Sequence, residues 1–317
     1  MKIALIGTGQ IAQRHLKAFQ RIEGVDIVGH LGTTPAQASG AAAIWGGRGY
    51  TALDELLTRE TPDAVWVTVP PHQHGSIEYR LLEQGIPFLV EKPLSADRNT
   101  ADQIGQMIAQ KKVSVAVGYN WRAADTLPRL RAYFAHNPPR MVLGTFHVNT
   151  PSARWWRHQA ESGGQMVEQA THLLDLSRAL LGHAQLVGAQ ASTFDRPAWP
   201  DADIAGVSAA LIRFDGGIVG VFSATCILTQ ASSVQLQFIC EDAVITLTRD
   251  AITYQIGASQ QTDRTQMDTY EAQNRAFLRA LHENNPDLIF SSYADALHTH
   301  HLCHTIVEQS HRPPPPL

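Results

Sequence analysis

Cysteine is scarce. Cys226, Cys240 and Cys303 are the only three in 317 residues, too few and too scattered for a disulfide framework or a zinc cluster, and this points to a reducing compartment. There is no surplus of basic charge: the formal net charge is -4, which leaves no electrostatic footprint for nucleic acid. No apolar run is long enough to span a bilayer, and the opening Ile3-Ala4-Leu5-Ile6 is cut short by glycines, which makes it a poor signal peptide. Internal repeats are absent, and low complexity is limited to Pro313-Pro314-Pro315-Pro316 in a tail, 311–317, expected to be disordered or polyproline. With 44% hydrophobic and 17% charged residues, the chain is expected to be an ordinary globular, cytoplasmic protein. Its length exceeds what one core usually supports, so two domains are expected.

Lys2 to Ile6 reads as a buried strand. Gly7-Thr8-Gly9-Gln10-Ile11-Ala12 then turns into a helix carrying Ile11, His15, Leu16 and Phe19 near helical spacing. This is the dinucleotide fingerprint, with Ala12 in the third glycine's place. Gly7 makes the tight turn, Gly9 lets the backbone approach a pyrophosphate, and the helix start offers free N–H groups and a positive dipole end. The second strand, Asp26 to Leu31, lacks the acid that holds the ribose of NAD: it is followed by Gly32-Thr33-Thr34, and Asp26 lies at the wrong end. Losing that carboxylate removes repulsion against a 2'-phosphate, to which the threonine hydroxyls could donate, but no arginine follows. The cofactor is read as NAD or NADP, with a slight lean to NADP.

The alternation continues. Leu53 to Thr58 reads as a helix, Ala64 to Val69 as a buried strand, and His74 to Gln84 as a helix closed by Gly85. Between the last two lies Pro70-Pro71-His72-Gln73-His74, a loop at the carboxyl edge. His72 and His74 have no third ligand nearby and are read as loop residues rather than metal ligands. Ile86 to Val90 is a short strand that ends in Glu91-Lys92-Pro93, placing a carboxylate, an amine and a rigid proline where open α/β sheets bind ligands. A helix, Asp97 to Gln110, and a strand, Val113 to Val117, complete a doubly wound parallel sheet. Residues 1–120 are thus expected to be a dinucleotide-binding Rossmann domain and 121–310 an α+β domain for substrate binding and oligomerisation.

In the second half, Ser162 and Gln165 have capping-box spacing, so a helix is expected from there to about Leu181, ended by Gly182. On such a helix Glu168, His172 and Asp175 share one face. Ala205 to Phe214, Ile218 to Leu228, Ser233 to Cys240, Val244 to Thr248 and Ile252 to Gln255 read as strands of a large, mainly antiparallel open sheet, with Asp215-Gly216-Gly217 a hairpin turn. Helices follow over Met267 to Glu283 and Tyr293 to Ser310. The last of these carries His298, His300, His301 and His304, with His300 and His304 on one face and no third ligand to complete a metal site.

Taken in order, Gly7-x-Gly9-x-x-Ala12, the loop from Thr68 to His74, Glu91-Lys92-Pro93, Gly118 through Arg122, and Ser162 to Asp175 resemble the Gfo/Idh/MocA oxidoreductase family over the whole chain. The resemblance implies an NAD(P)-dependent dehydrogenase acting on CH-OH groups of a sugar, cyclitol or related polyol. An NAD-recycling glycosidase or epimerase of the same fold, or a non-catalytic dinucleotide sensor, is the alternative. The family lines its active site with the lysine of the Glu-Lys-Pro motif and with an acid and a histidine matching Glu168 and His172; inositol dehydrogenase has Asp where this chain has Glu168. His172 is then the base, Lys92 the electrostatic stabiliser or an alternative base, and Glu168 the group that orients His172 or binds a neighbouring hydroxyl. By the same resemblance Pro93 is expected to be cis. The expected cofactor contacts are Gly7, Thr8, Gly9, Gln10, Ile11, Gly32, Thr33, Thr34, Thr68, Pro70, His74, Glu91 and Lys92. Expected substrate contacts are Tyr119, Asn120, Arg122, Trp156, Arg157 and His172, because aromatic and hydrogen-bonding groups suit a sugar ring and Arg157 would suit a carboxylate. A homodimer or homotetramer through the second-domain sheet is also implied.

Overall fold

Residues that are apolar in unbroken runs form strands buried on both faces, and the first third of the chain has several. The computed structural model describes residues 1–310; the proline tail lies outside the described residues. The elements of the first part are β1 (Lys2–Ile6), α1 (Gln10–Phe19), β2 (Asp26–Leu31), α2 (Pro35–Trp45), β3 (Arg48–Tyr50), α3 (Leu53–Glu60), β4 (Ala64–Val67), α4 (Ser76–Glu83), β5 (Phe88–Val90), α5 (Arg98–Lys111) and β6 (Val115–Val117). They are followed by α6 (Leu127–His136), β7 (Met141–His147), α7 (Gln159–Ser162), α8 (Gln165–Glu168), α9 (Thr171–Leu181), β8 (Ala184–Ser192), β9 (Val207–Phe214), β10 (Val219–Thr225), β11 (Ser233–Ile239), β12 (Ala243–Thr248), β13 (Ala251–Ile256), β14 (Ser259–Arg264), α10 (Thr269–His282) and α11 (Tyr293–Ser310).

The chain divides into two compact units. The first comprises Met1–Ser95, Asn99–Ala123 and Met267–Leu297; the second holds Ala96–Arg98, Ala124–Gln266 and the described residues from His298 onward. The first unit is a six-stranded parallel sheet in the order β3-β2-β1-β4-β5-β6. One face packs Val65, Val67, Phe88 and Val90 against α4 and α5, together with Tyr293 and Ala296 from the start of α11. The other packs Ile3, Leu5, Trp66 and Leu89 against α1 and against Phe277 and Leu278 of α10. Trp66 is fully buried between Phe19 and Phe277, both edge-on to it at 4.9 and 5.5 Å. At about 25 cal/mol per Å² and roughly 200 Å² removed from water, that side chain contributes about 5 kcal/mol of transfer free energy. Neither α2 nor β3 is foreshadowed by periodicity, since five of the eleven residues of α2 are alanine. Its start is explicit nonetheless: Thr34 and Gln37 form a reciprocal capping box and Pro35 occupies the first turn.

The second unit is an eight-stranded sheet, β14-β13-β12-β11-β7-β10-β9-β8, antiparallel except where β10 runs parallel to β7. Alternate residues such as Ile212, Phe222, Phe238 and Ile245 are buried on one face, where Phe134 of α6 meets Phe238 at 5.0 Å. The turn between β9 and β10 is Asp215-Gly216-Gly217 as expected, with both glycines at positive φ. Strands β7, β8 and β14 were not anticipated. β8 and β14 carry few of the bulky β-branched and aromatic runs by which strands are recognised, and β7, interrupted by Gly144, is paired by β10 and β11, both distant in sequence.

Candidate active site

In the first unit the ends of four parallel strands converge on one edge. After β1 the backbone turns at Gly7 (φ 99°), whose N–H donates to the Leu31 carbonyl at 2.9 Å. A Cβ there would lie 2.6 Å from the Thr68 carbonyl oxygen, so only glycine fits. Thr68, at the end of β4, donates both its N–H and its hydroxyl to the Ile6 carbonyl. Gly9 caps α1 without any side-chain hydrogen bond; no acid follows in the first turn, and a Cβ at Gly9 would meet nothing within 4 Å. Thr8 and Ile11 are half-buried and Gln10 is exposed around the same turn. Open space beside free helix N–H groups fits the pyrophosphate of a dinucleotide.

At the end of β2, Gly32 is buried against α2, where a Cβ would reach within 2.8 Å of the Ala38 nitrogen. Thr33 is exposed, and the Thr34 hydroxyl accepts the Gln37 N–H at 3.3 Å, which opens α2. Beyond β4, Pro70 leads into a short turn in which His72 is exposed and His74 buried. The His74 ring bonds through Nδ1 to Glu78 at 2.6 Å, and the other oxygen of Glu78 accepts the Gly75 N–H at 2.7 Å. Glu78, fully buried, was not singled out from sequence because it reads as an ordinary helix-surface acid.

Glu91-Lys92-Pro93 leaves the end of β5, and the Lys92–Pro93 bond is cis, as the family resemblance implies. Lys92 is half-buried. Glu91 is buried, with one carboxylate oxygen 2.9 Å from Nε2 of His15 on α1 and the other accepting the Lys92 N–H at 3.3 Å. After β6, Tyr119 and Asn120 are buried, and the Asn120 amide donates to Thr269 at 3.0 Å. Arg122 pairs with Asp295 at 2.6 Å and donates to the Phe290 carbonyl at 3.4 Å, so its charge is matched within its own unit.

In the second unit the expected helix from Ser162 to Leu181 is broken. Ser162 ends α7, donating to the His158 carbonyl and accepting the Gly164 N–H, and there is no capping box with Gln165. Gly163 and Gly164, at φ 76° and 84°, turn the chain into α8. A second break separates α8 from α9: the Ala170 N–H reaches back five residues to the Gln165 carbonyl at 3.0 Å, widening the turn at Gln169, which stays in the right-handed region at φ -111°. Gln165 anchors this bend by donating to the Phe146 and Thr225 carbonyls of β7 and β10. Glu168 and His172 therefore do not share a regular helical face, which corrects the expectation from spacing. The Glu168 carboxylate accepts the Trp156 indole N–H at 2.6 Å, while His172 sits half-buried in the first turn of α9. Asp175 is buried and accepts from Thr299 of α11 at 3.0 Å; Arg178 donates to the same hydroxyl at 2.8 Å. It is a structural tie.

Trp156 is buried with Ile204 and Cys226. Arg157 makes a two-pronged pair with Asp201 at 3.2 and 2.9 Å, donates to the Ser152 carbonyl, and stacks over the Trp199 ring at 4.4 Å. Its guanidinium holds the Asp201 carboxyl below the usual range. Asp201 and Trp199 lie more than forty residues along the chain, with no local signal pointing to them.

Residues 1–119 match the oxidoreductase family with an NAD-binding Rossmann fold, and residues 137–246 match the GFO/IDH/MocA C-terminal domain. The chain belongs to the Gfo/Idh/MocA oxidoreductase family. It is accordingly an NAD(P)-binding oxidoreductase. Among its relatives in this family, 4-carboxy-2-hydroxymuconate-6-semialdehyde dehydrogenase of Sphingobium is 23% identical over 89% of this chain and 91% of its own. Inositol 2-dehydrogenase of Rhizobium meliloti is 25% identical over 57% and 55%. A solved 3-ketoreductase from Actinomadura kijaniata, in complex with NADP and TDP-benzene, shares the fold at a TM-score of 0.86, with 18% identity over 98% and 97% of the chains. No described helix is long and apolar enough to cross a membrane.

Proposed function

We propose that the chain is an NAD(P)-dependent dehydrogenase that moves a hydride between nicotinamide and a hydroxyl or keto carbon of a sugar, cyclitol or related polyol. One observation carries this reading: Lys92 leaves the carboxyl end of β5, in the same sheet edge as the open glycine turn after β1, with β4 alone between the two strands. When bound, the dinucleotide would supply the hydride chemistry. Lys92 stabilises the charge that develops on the reacting oxygen, and His172 takes the hydroxyl proton in oxidation and returns it in reduction. Glu168, held by Trp156, orients His172 or binds a neighbouring hydroxyl. The inositol 2-dehydrogenase activity named for a relative supports a polyhydroxylated ring as substrate. The lean to NADP rests on the missing acid after β2 and on the threonines that open α2. Three buried, unpaired-by-disulfide cysteines suit work in a reducing cytoplasm.

Purified protein mixed with NAD or NADP and a panel of polyols should generate reduced cofactor, read by its near-ultraviolet absorbance, and Lys92→Ala should abolish it. Cofactor binding with no turnover of any polyol or ketosugar would favour a dinucleotide sensor. Dissociation constants for the two cofactors decide the NADP lean, which a clear preference for NAD would refute.

A further inference from the structure

The buried face between β4, β5, α1 and α10 holds a chain of polar groups for which the dehydrogenase chemistry has no direct use. Trp66, Asn274, His15 and Glu91 are all 5% exposed or less. The Trp66 indole can only donate, and its Nε1 lies 3.0 Å from Asn274 Oδ1; this fixes which end of the amide faces inward. That same oxygen is 2.9 Å from His15 Nδ1, so the ring must donate there too. On the ring's other side Nε2 is 2.9 Å from the Glu91 carboxylate. The ring is thus flanked by two acceptors, with the Tyr270 ring perpendicular to it at 5.1 Å between centroids. Gly118 makes room for the carboxylate, since a Cβ there would come within 2.5 Å of its carbon.

We propose that His15 is held as an imidazolium and that His15 and Asn274 are positioning residues for Glu91-Lys92-Pro93. A doubly protonated ring satisfies both acceptors and balances the buried charge of Glu91, which would otherwise sit uncompensated in the core. The carboxylate, so neutralised, is fixed in place and holds the Lys92 N–H with its second oxygen. The backbone that presents Lys92 is therefore tied to the helix that opens the dinucleotide turn and to α10, 183 residues further on by number, from Glu91 to Asn274. The kinetic part of this inference rests on Lys92 acting at the reacting oxygen; the protonation of His15 does not.

Nitrogen-resolved NMR of histidine-labelled protein near neutral pH should show protons on both ring nitrogens of His15, with both signals missing from His15→Gln. A single ring proton overturns the imidazolium. Asn274→Leu, which removes the acceptor at similar volume, should lower kcat at least about 10-fold while the dinucleotide dissociation constant stays within about 3-fold. A merely structural role would instead move both or neither, and either result overturns the positioning role. If Lys92→Ala keeps full activity, the catalytic reading fails while the ring protons of His15 remain as measured; if Asn274→Leu does not fold, the wild-type spectrum still decides the protonation.

Discussion

The Trp156 indole N–H donates to the Glu168 carboxylate at 2.6 Å, joining the turn before α7 to the end of α8. An Asp side chain at that place, one methylene shorter, would be drawn away from the indole. The extra length of Glu168 is thus matched by a specific donor.

Removing that donor should be felt in catalysis. A hydrogen bond to a charged group is worth about 1.5–3 kcal/mol, so Trp156→Phe is expected to lower kcat/KM about 10- to 100-fold if Glu168 acts in the transition state. Glu168→Asp should give a loss of the same order, and the Trp156→Phe/Glu168→Asp double variant little more than either alone, because both single changes break one contact. Steady-state kinetics on the best polyol checks this; additive losses would separate the two residues.

The two glycines of the first turn should behave differently. Gly7 combines a positive φ with a Cβ position 2.6 Å from the Thr68 carbonyl, so Gly7→Ala is expected to lose roughly 2 kcal/mol or more of stability along with cofactor binding. Gly9 has ordinary backbone angles and open space, so Gly9→Ala should cost under about 1 kcal/mol as a changed helix cap. Its dinucleotide affinity should nevertheless fall at least about 10-fold, because the methyl group fills the space the pyrophosphate needs. Denaturant titration and cofactor titration together separate the effects; unchanged affinity in Gly9→Ala would contradict the assignment of the turn.

Two buried, adjacent histidines set an acid limit on stability. Burial, and then the neighbouring His304, lowers His300 from the ordinary 6.5 to about 3; burial, and then Arg98, lowers His304 to about 4. The rings lie 4.4 Å apart, and His300 Nε2 donates to the Asp97 carbonyl; Asp97, Arg98, His301 and Glu308 are the charged or titratable groups around them. Both folded values are depressed, so the unfolded chain binds protons first. Stability is then intact above about pH 6.5 and falls as pH drops from there toward 3, by roughly 2 kcal/mol for each ring at pH 5. Denaturant midpoints at pH 7 and pH 5 test this, and His304→Leu should shrink the difference between them.

Much of this was legible in sequence where the signal is local. The bounds of β1, β2 and α11 follow from apolar runs and periodicity, and the glycine turn and Glu91-Lys92-Pro93 announce the ligand edge of the sheet. Features that depend on distant partners were not legible. Nothing near Asn274 or Trp66 says that they meet around His15, and nothing near Arg157 points to Asp201. The break at Gln169 and Ala170 was hidden as well, because no proline or glycine marks it: the bend follows from Gln165 reaching two strand carbonyls, a tertiary contact that overrides helical propensity.

The open face of the second-unit sheet carries the last prediction. Leu211 of β9 and Val221 of β10 stand directly opposite one another and are about two-fifths exposed; Val219 of β10 and Val187 of the neighbouring β8 are exposed as well. Apolar side chains ranked across adjacent strands would cost free energy if left in water, whereas a second copy of the sheet would cover them. A stable pairing buries about 800 Å² on each partner, and a charge placed directly opposite its own symmetry mate in such an interface is strongly disfavoured. The wild-type protein is therefore expected to sediment as a dimer or tetramer, and Leu211→Glu combined with Val221→Glu should shift it to the monomer without loss of secondary structure. Wild-type protein that sediments as a monomer at micromolar concentration would leave this face without a partner copy and refute the pairing.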